Sequence, residues 1–134
     1  MNVVLDACAI IAYARNEPGA DIVRMLIDDQ QVGCFVHVVN LCEVYYDATR
    51  RVDEAHAQQL VIDLEVADLI FRDDIDTSFW KAVGFYKATL RRISLADCFA
   101  LALAKRIGAV IVTSDHHEFD PLVSQGVCSV RFIR

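Results

Sequence analysis

No stretch of this sequence is apolar for long enough to cross a bilayer. Asp6 breaks the first apolar run, and Asp97, Lys105 and Arg106 break the longest, so none reaches the roughly 20 residues that a membrane helix needs. The amino terminus also lacks a basic segment leading to a cleavage site. A cytoplasmic protein without membrane contact is therefore expected. Cysteine pairing is missing as well: Cys8, Cys34, Cys42, Cys98 and Cys128 are odd in number, widely spread and form no Cys-x-x-Cys. That spacing argues against a disulfide framework and against a structural zinc site, and it predicts buried, reduced thiols. Linkers, repeats and low-complexity segments are absent, which points to one domain over residues 1–134. Positive charge is scarce too, with 13 Lys and Arg against 19 Asp and Glu and a net charge of −6. This is the wrong sign for gripping nucleic acid by its phosphates. Eight of the acids fall between Asp53 and Asp76, however, and each bound divalent ion would offset two negative charges. The balance excludes tight non-specific binding but leaves room for a small active site acting on nucleic acid.

What the chain has in abundance is apolar surface. Hydrophobic residues make up 55% of 134 positions and charged residues only 24%, enough for a real core with some left over to cover a partner or a second copy.

The stretch from Ser94 to Asp115 organises the rest. Ser94 suits a helix N-cap, the run from Leu95 is rich in Ala and Leu, Lys105 and Arg106 suit the last turn, and Gly108 suits the stop. Ala109 to Val112 then reads as a buried strand. The helix climbs about 15 Å from Asp97 to Ile107 and the extended chain descends about 16 Å from Val110 to Asp115, so Asp97 and Asp115 should return to one level.

Elsewhere the pattern alternates. Val3 to Leu5 reads as a strand, Ala7 to Ala14 as a helix, Glu17-Pro18-Gly19 as a turn, Ala20 to Gln30 as a helix and Val32 to Val39 as a strand. Asn40 is expected to cap a helix ending near Arg51, followed by a helix from Asp53 to about Asp68, a brief strand at Leu69 to Phe71 and a helix from Asp76 or Thr77 carrying Phe79, Val83, Tyr86 and Leu90. After Asp115 come a polar loop, a turn at Asp120-Pro121 and a last strand from Val127 to Ile133. Strands separated by helices mean right-handed βαβ units. The predicted fold is α/β, a three-layer α/β/α domain around a mainly parallel sheet.

In such a sheet ligands sit beyond the carboxyl ends of the strands. Asp6, Glu43, Asp97 and Asp115 all fall at that edge. Each has an ordinary explanation: Asn40-x-x-Glu43 and Ser94-x-x-Asp97 have capping-box spacing, Asp6 can cap the helix after it, and Asp115 can stabilise a turn. Together they are harder to explain away, because two carboxylates about 5 Å apart at an effective dielectric near 20 repel by roughly 3 kcal/mol. Hard oxygen donors of this kind suit Mg²⁺ or Mn²⁺ and phosphate-bearing substrates, and the chemistry indicated is metal-dependent phosphodiester hydrolysis.

The order Val-Val-Leu-Asp6, Asn-Leu-Cys-Glu43-Val, Ser-Leu-Ala-Asp97-Cys-Phe-Ala-Leu-Ala-Leu-Ala and Val-Ile-Val-Thr-Ser-Asp115, with the closing Glu-Phe-Asp-Pro-Leu, resembles the PIN-domain nucleases, particularly VapC-type toxins of toxin-antitoxin pairs. The resemblance implies a sheet of about five strands and a Mg²⁺- or Mn²⁺-dependent endoribonuclease acting on RNA. It implies Asp6 and Asp97 as principal metal ligands, with Glu43 and Asp115 completing the catalytic pocket, and it implies a homodimer neutralised by a small antitoxin. One departure stands out: the family usually has Thr or Ser and then another small polar residue after its first Asp, where this chain has Ala7 and Cys8.

Other residues carry weaker signals. Thr113 and Ser114 are placed to bond a carboxylate or phosphate. His116 and His117 are in reach of the same pocket as a metal ligand or phosphate contact, but an exposed loop pair is the favoured reading, since an all-oxygen site needs no imidazole. Asp120 before Pro121 has the form of a helix cap. Arg50 with Arg51, and Arg91 with Arg92, are candidate phosphate contacts. Two rival functions remain on sequence alone. A phosphoacceptor signalling domain would need an adjacent acidic pair after its first strand and a late Lys, but Asp6 stands alone and no Lys follows Lys105. A non-catalytic binding protein could retain the fold with its acids as caps.

Overall fold

The computed structural model describes residues 1–90 and 92–134. Five strands, β1 (Asn2–Leu5), β2 (Gly33–His37), β3 (Ile70–Arg72), β4 (Val110–Thr113) and β5 (Val130–Phe132), form one sheet in the order β3-β2-β1-β4-β5. Every pairing is parallel. The helices are α1 (Ala7–Ala14), α2 (Ala20–Asp28), α3 (Val38–Arg51), α4 (Glu54–Val66), α5 (Thr77–Thr89), α6 (Leu95–Ile107) and α7 (His116–Ser124). None of the described helices is long and apolar enough to cross a membrane.

The strand period of two sorts β1 between two cores. Val3 and Leu5 join Val23, Val36, Val44 and Leu64 in the layer built from α1 to α4. Val4 points the other way, to Phe79, Val83, Leu101 and Phe119 from α5, α6 and α7. All three β1 side chains are fully buried, a gain of roughly 1.5–3 kcal/mol each. A strand buried on both faces has no polar alternation, which is why it reads as a continuous apolar run. The sheet grows outward from β1 in both directions, so the crevice between the β1 and β4 ends is the switch point where ligands collect.

The helix from Ser94 to Gly108 forms as its sequence dictates. Ser94 Oγ accepts from the Asp97 N–H at 3.2 Å, eight residues of α6 are buried, and Gly108 turns the chain out at φ +66°. Gly19 is conformationally constrained for a different reason. It has φ +96° ahead of α2, and a Cβ there would lie 2.7 Å from the Ile133 carbonyl oxygen. Gly19→Ala is expected to cost about 2 kcal/mol, measurable by urea denaturation; unchanged stability would contradict this packing.

Four local expectations are corrected. Asn40 does not cap α3: that helix starts at Val38, three residues earlier than a cap at Asn40 would give, and is capped by His37, whose Nδ1 accepts from the Val39 N–H at 3.1 Å, so β2 also ends sooner. The stretch after Asp115 is not a loop but α7, with Pro121 inside it and Asp120 within the helix rather than at its cap. Burial of Phe119 and Leu122, three residues apart on one face, outweighs the proline penalty. The final strand is shorter than expected, spanning Val130–Phe132. The cysteines are all free, but only Cys34 and Cys98 are buried, whereas Cys8 and Cys42 are exposed and Cys128 is intermediate.

Candidate metal centre

Asp6 follows β1 and caps α1, with Oδ1 accepting from the Ala9 N–H at 2.9 Å. Its other oxygen is not left to solvent, because Thr113 at the end of β4 donates its hydroxyl to Oδ2. The same Thr113 oxygen accepts from the Asp115 N–H at 2.9 Å, so one side chain links the acids that follow β1 and β4. Asp6 is almost completely buried. Burial pushes its pKa up to about 7 against the pull of the Thr113 and Ala9 hydrogen bonds, with the charges of Asp115 and Glu43 adding to the rise.

Asp97, Asp115 and Glu118 bring carboxylate oxygens within 4.8 Å of one another. The two ends of the Ser94–Asp115 stretch do meet. Asp115 serves as the N-cap of α7, accepting from the Glu118 N–H at 3.0 Å, and so turns Glu118 toward Asp97. Asp97 is not consumed by a reciprocal capping box: the Ser94 N–H that it would have bonded donates instead to Glu118 Oε1 at 3.2 Å. Asp97 is held strongly above the usual carboxylate range, first by burial, then by its hydrogen bond with Glu118 and the charges of Asp6, Glu118 and Asp115.

Glu118 is the residue that sequence reasoning passed over. Its signal was present as Asp115-His-His-Glu118, a capping-box spacing, but it is legible only once His116–Ser124 is recognised as a helix. Glu43, on α3, is partly buried and lies outside the trio. Its pKa is raised by burial and by the charge of Glu118.

The neighbouring residues divide into those that face the acids and those that do not. Cys8 is exposed beside them, and partial burial with the charges of Asp6, Asp97, Asp115 and Glu43 pushes its thiol up to about 12, so it stays protonated. His116 belongs to α7, not to a loop. It stacks on Phe132 and bonds Asp120 at 3.0 Å and the Arg134 carbonyl at 2.8 Å. Arg51 pairs with Asp47, and Arg50 lies over the Tyr46 ring. Arg91 lies outside the described residues, and Arg92 is exposed.

The donor set fits a hard divalent cation. Every converging atom is a carboxylate oxygen, and Glu118 Oε2 is buried without a hydrogen-bond partner, an orphan that a cation would satisfy. The PIN domain family model matches residues 3–121. The chain belongs to the PIN domain family. Solved structures share its architecture over most or all of its length. The DNA-bound VapBC from Salmonella typhimurium is 18% identical with a TM-score of 0.73, covering 100% of this chain and 99% of that one. A toxin-antitoxin complex from Klebsiella pneumoniae is 15% identical with a TM-score of 0.74, covering 98% of each chain. VapC20 of Mycobacterium tuberculosis, described as a Sarcin-Ricin loop cleaving toxin, is 11% identical with a TM-score of 0.70, covering 89% of this chain and 94% of that one. No curated protein matches the chain significantly.

Proposed function

We propose that this protein is a VapC-type toxin, a metal-dependent endoribonuclease whose ion is held by carboxylates. The observation that carries the reading is the convergence of Asp97, Asp115 and Glu118 within 4.8 Å, with an unpartnered buried oxygen on Glu118. Membership of the PIN family and the VapBC structural neighbours support it, and the RNA substrate follows the neighbour described as cleaving the Sarcin-Ricin loop.

Asp6, Asp97, Asp115 and Glu118 would hold Mg²⁺ or Mn²⁺, with Glu43 beside them. When bound, such an ion acidifies water and neutralises charge on the phosphoryl group. The chain's own residues supply the rest. Thr113 fixes the second oxygen of Asp6, so that the carboxylate is oriented before any ligand arrives. A carboxylate of the Asp97 and Glu118 pair would accept the proton released as water attacks phosphorus. The new P–O bond would form as the bond to the leaving oxygen breaks, and that oxygen would take its proton from solvent water. Hydroxyls that the family usually carries after its first Asp are replaced by Ala7 and Cys8, so Thr113 orients Asp6 without their help.

The expected partner is a small antitoxin, as in the neighbouring complexes. A groove of about 370 Å³ between α1, α3 and α4, lined by Ile11, Val44, Leu60, Arg15 and Arg51 among others, offers an apolar floor with charged rims. A homodimer accounts for exposed apolar side chains such as Trp80 and Phe85 on α5. Incubation of the purified protein with RNA and Mg²⁺ or Mn²⁺ should yield discrete cleavage products, lost on adding a chelator and regained on restoring the ion. Cleavage that persists in chelator would contradict the reading.

A further inference from the structure

Asn40 is fully buried, with no exposed surface, and both ends of its amide are used. Oδ1 accepts from the Ala7 N–H at 3.4 Å, and Nδ2 donates to the Ala96 carbonyl at 3.1 Å. These partners sit at particular places. Ala7 directly follows Asp6 and opens α1; Ala96 directly precedes Asp97 in the first turn of α6; and Asn40 itself lies one helical turn before Glu43 on α3. One side chain therefore ties together the beginnings of three helices, each of which carries an acid of the centre.

The bonds are also the right kind. The first N–H groups of a helix have no partner within it, so the Ala7 N–H needs an acceptor where water is excluded. The Ala96 carbonyl, in the first turn of α6, has a partner within its own helix and offers its second lone pair to the Asn40 amide. An amide of Asn length presents an acceptor and a donor at fixed separation and so reaches both at once. Because α1, α3 and α6 belong to different parts of the fold, no local backbone bond could set their relative positions.

We propose that Asn40 is a positioning residue for the metal centre: it sets the spacing of Asp6, Asp97 and Glu43 by clasping the starts of their helices. This rests on the reading of Asp6 and Asp97 as cation ligands. Outer groups that orient ligands typically change metal affinity by about 10- to 100-fold when removed.

The test is Mn²⁺ binding alone, measured by calorimetry on the full chain, for the unsubstituted protein, Asn40→Leu, Asn40→Ser and Val44→Ala. Leu keeps the volume and removes both bonds. Ser retains a polar atom that cannot span both partners, and serves if Leu compromises folding. Val44 is buried on the same helix but makes no clasp, so it reports what destabilisation alone does. The expected result is an affinity at least about tenfold weaker for the Asn40 variants and within about twofold of the unsubstituted chain for Val44→Ala. Unchanged affinity in folded Asn40 variants overturns the clasp while leaving the function standing. Equal losses in Asn40 and Val44 variants also overturn it, as mere destabilisation. Absence of Mn²⁺ binding in the unsubstituted chain overturns the metal centre, and the clasp with it.

Discussion

Asp97→Asn is expected to reduce RNA cleavage by about 10³-fold or more, while the metal-free protein folds as stably as before or more so. The amide has the shape of the carboxyl it replaces, but it cannot carry the charge that attracts a cation. Losing several kcal/mol of charge stabilisation in the transition state gives a rate effect of that size. The stability half of the expectation comes from the metal-free geometry. Asp97 is buried, held strongly toward its neutral form, and hydrogen-bonded to Glu118, so a neutral amide that donates to Glu118 preserves the contact and removes a repulsion. Glu118→Gln should behave similarly, since it removes charge from the oxygen left without a partner. Glu43→Gln, outside the trio, should cost less, about 10- to 100-fold. Steady-state cleavage and thermal denaturation of the same preparations check both halves. Full activity in Asp97→Asn would remove that residue from the centre; lost activity accompanied by unfolding would make its role structural.

How much of this was legible in the sequence depended on whether a segment's local and tertiary demands agreed. The α6–β4 unit was fully legible because cap, composition and stop residue all favour one structure, and the packing uses the same residues. β1 was legible because a strand buried on both faces shows as an unbroken apolar run. The region after Asp115 was not, since its punctuation of Asp, His and Pro belongs to turns, and only the burial of Phe119 and Leu122 makes it helical. That single misreading hid Glu118, which reaches the other acids only from a helix capped by Asp115. Asn40 shows the converse problem. Its type and its spacing from Glu43 suit a cap, but β2 ends sooner and His37 takes the cap, which carries Asn40 inward. Long-range bonds of that kind leave no local trace in a sequence.

Without metal, the protein is expected to lose stability as pH rises, and to regain it on adding Mn²⁺. Asp6 has a pKa raised from 3.8 to about 7 in the folded chain, so between those values the folded state binds more protons than the unfolded state and stability falls with increasing pH. The contribution is complete below about pH 4 and gone above about pH 7, and for this one buried group it is on the order of 4 kcal/mol. Asp97 and Glu43 are shifted in the same direction. His37 opposes them: burial lowers its pKa, so it costs stability as pH falls below 6.5. Asp74, held well below the usual carboxylate range by the Arg72 and Arg106 guanidiniums, loses its contribution only in stronger acid. Three raised carboxylates, with the His116 imidazole raised in the same sense by its bonds to the Arg134 carbonyl and Asp120, against one depressed imidazole leave the metal-free protein more stable at pH 5.5 than at pH 8, by about 5–10 °C in melting temperature. A cation reverses the sign of the problem, because the charges that repel one another at pH 8 are the ones that attract it. Mn²⁺ at 100 times its dissociation constant should add about 2.7 kcal/mol, with a larger rise in melting temperature at pH 8 than at pH 5.5, where protons compete for the same oxygens. Melting curves at the two pH values, with Mn²⁺ and with chelator, decide the matter. A metal-free protein that grows more stable from pH 5.5 to 8, and that Mn²⁺ leaves unchanged, would mean that these carboxylates are relieved by something other than an ion.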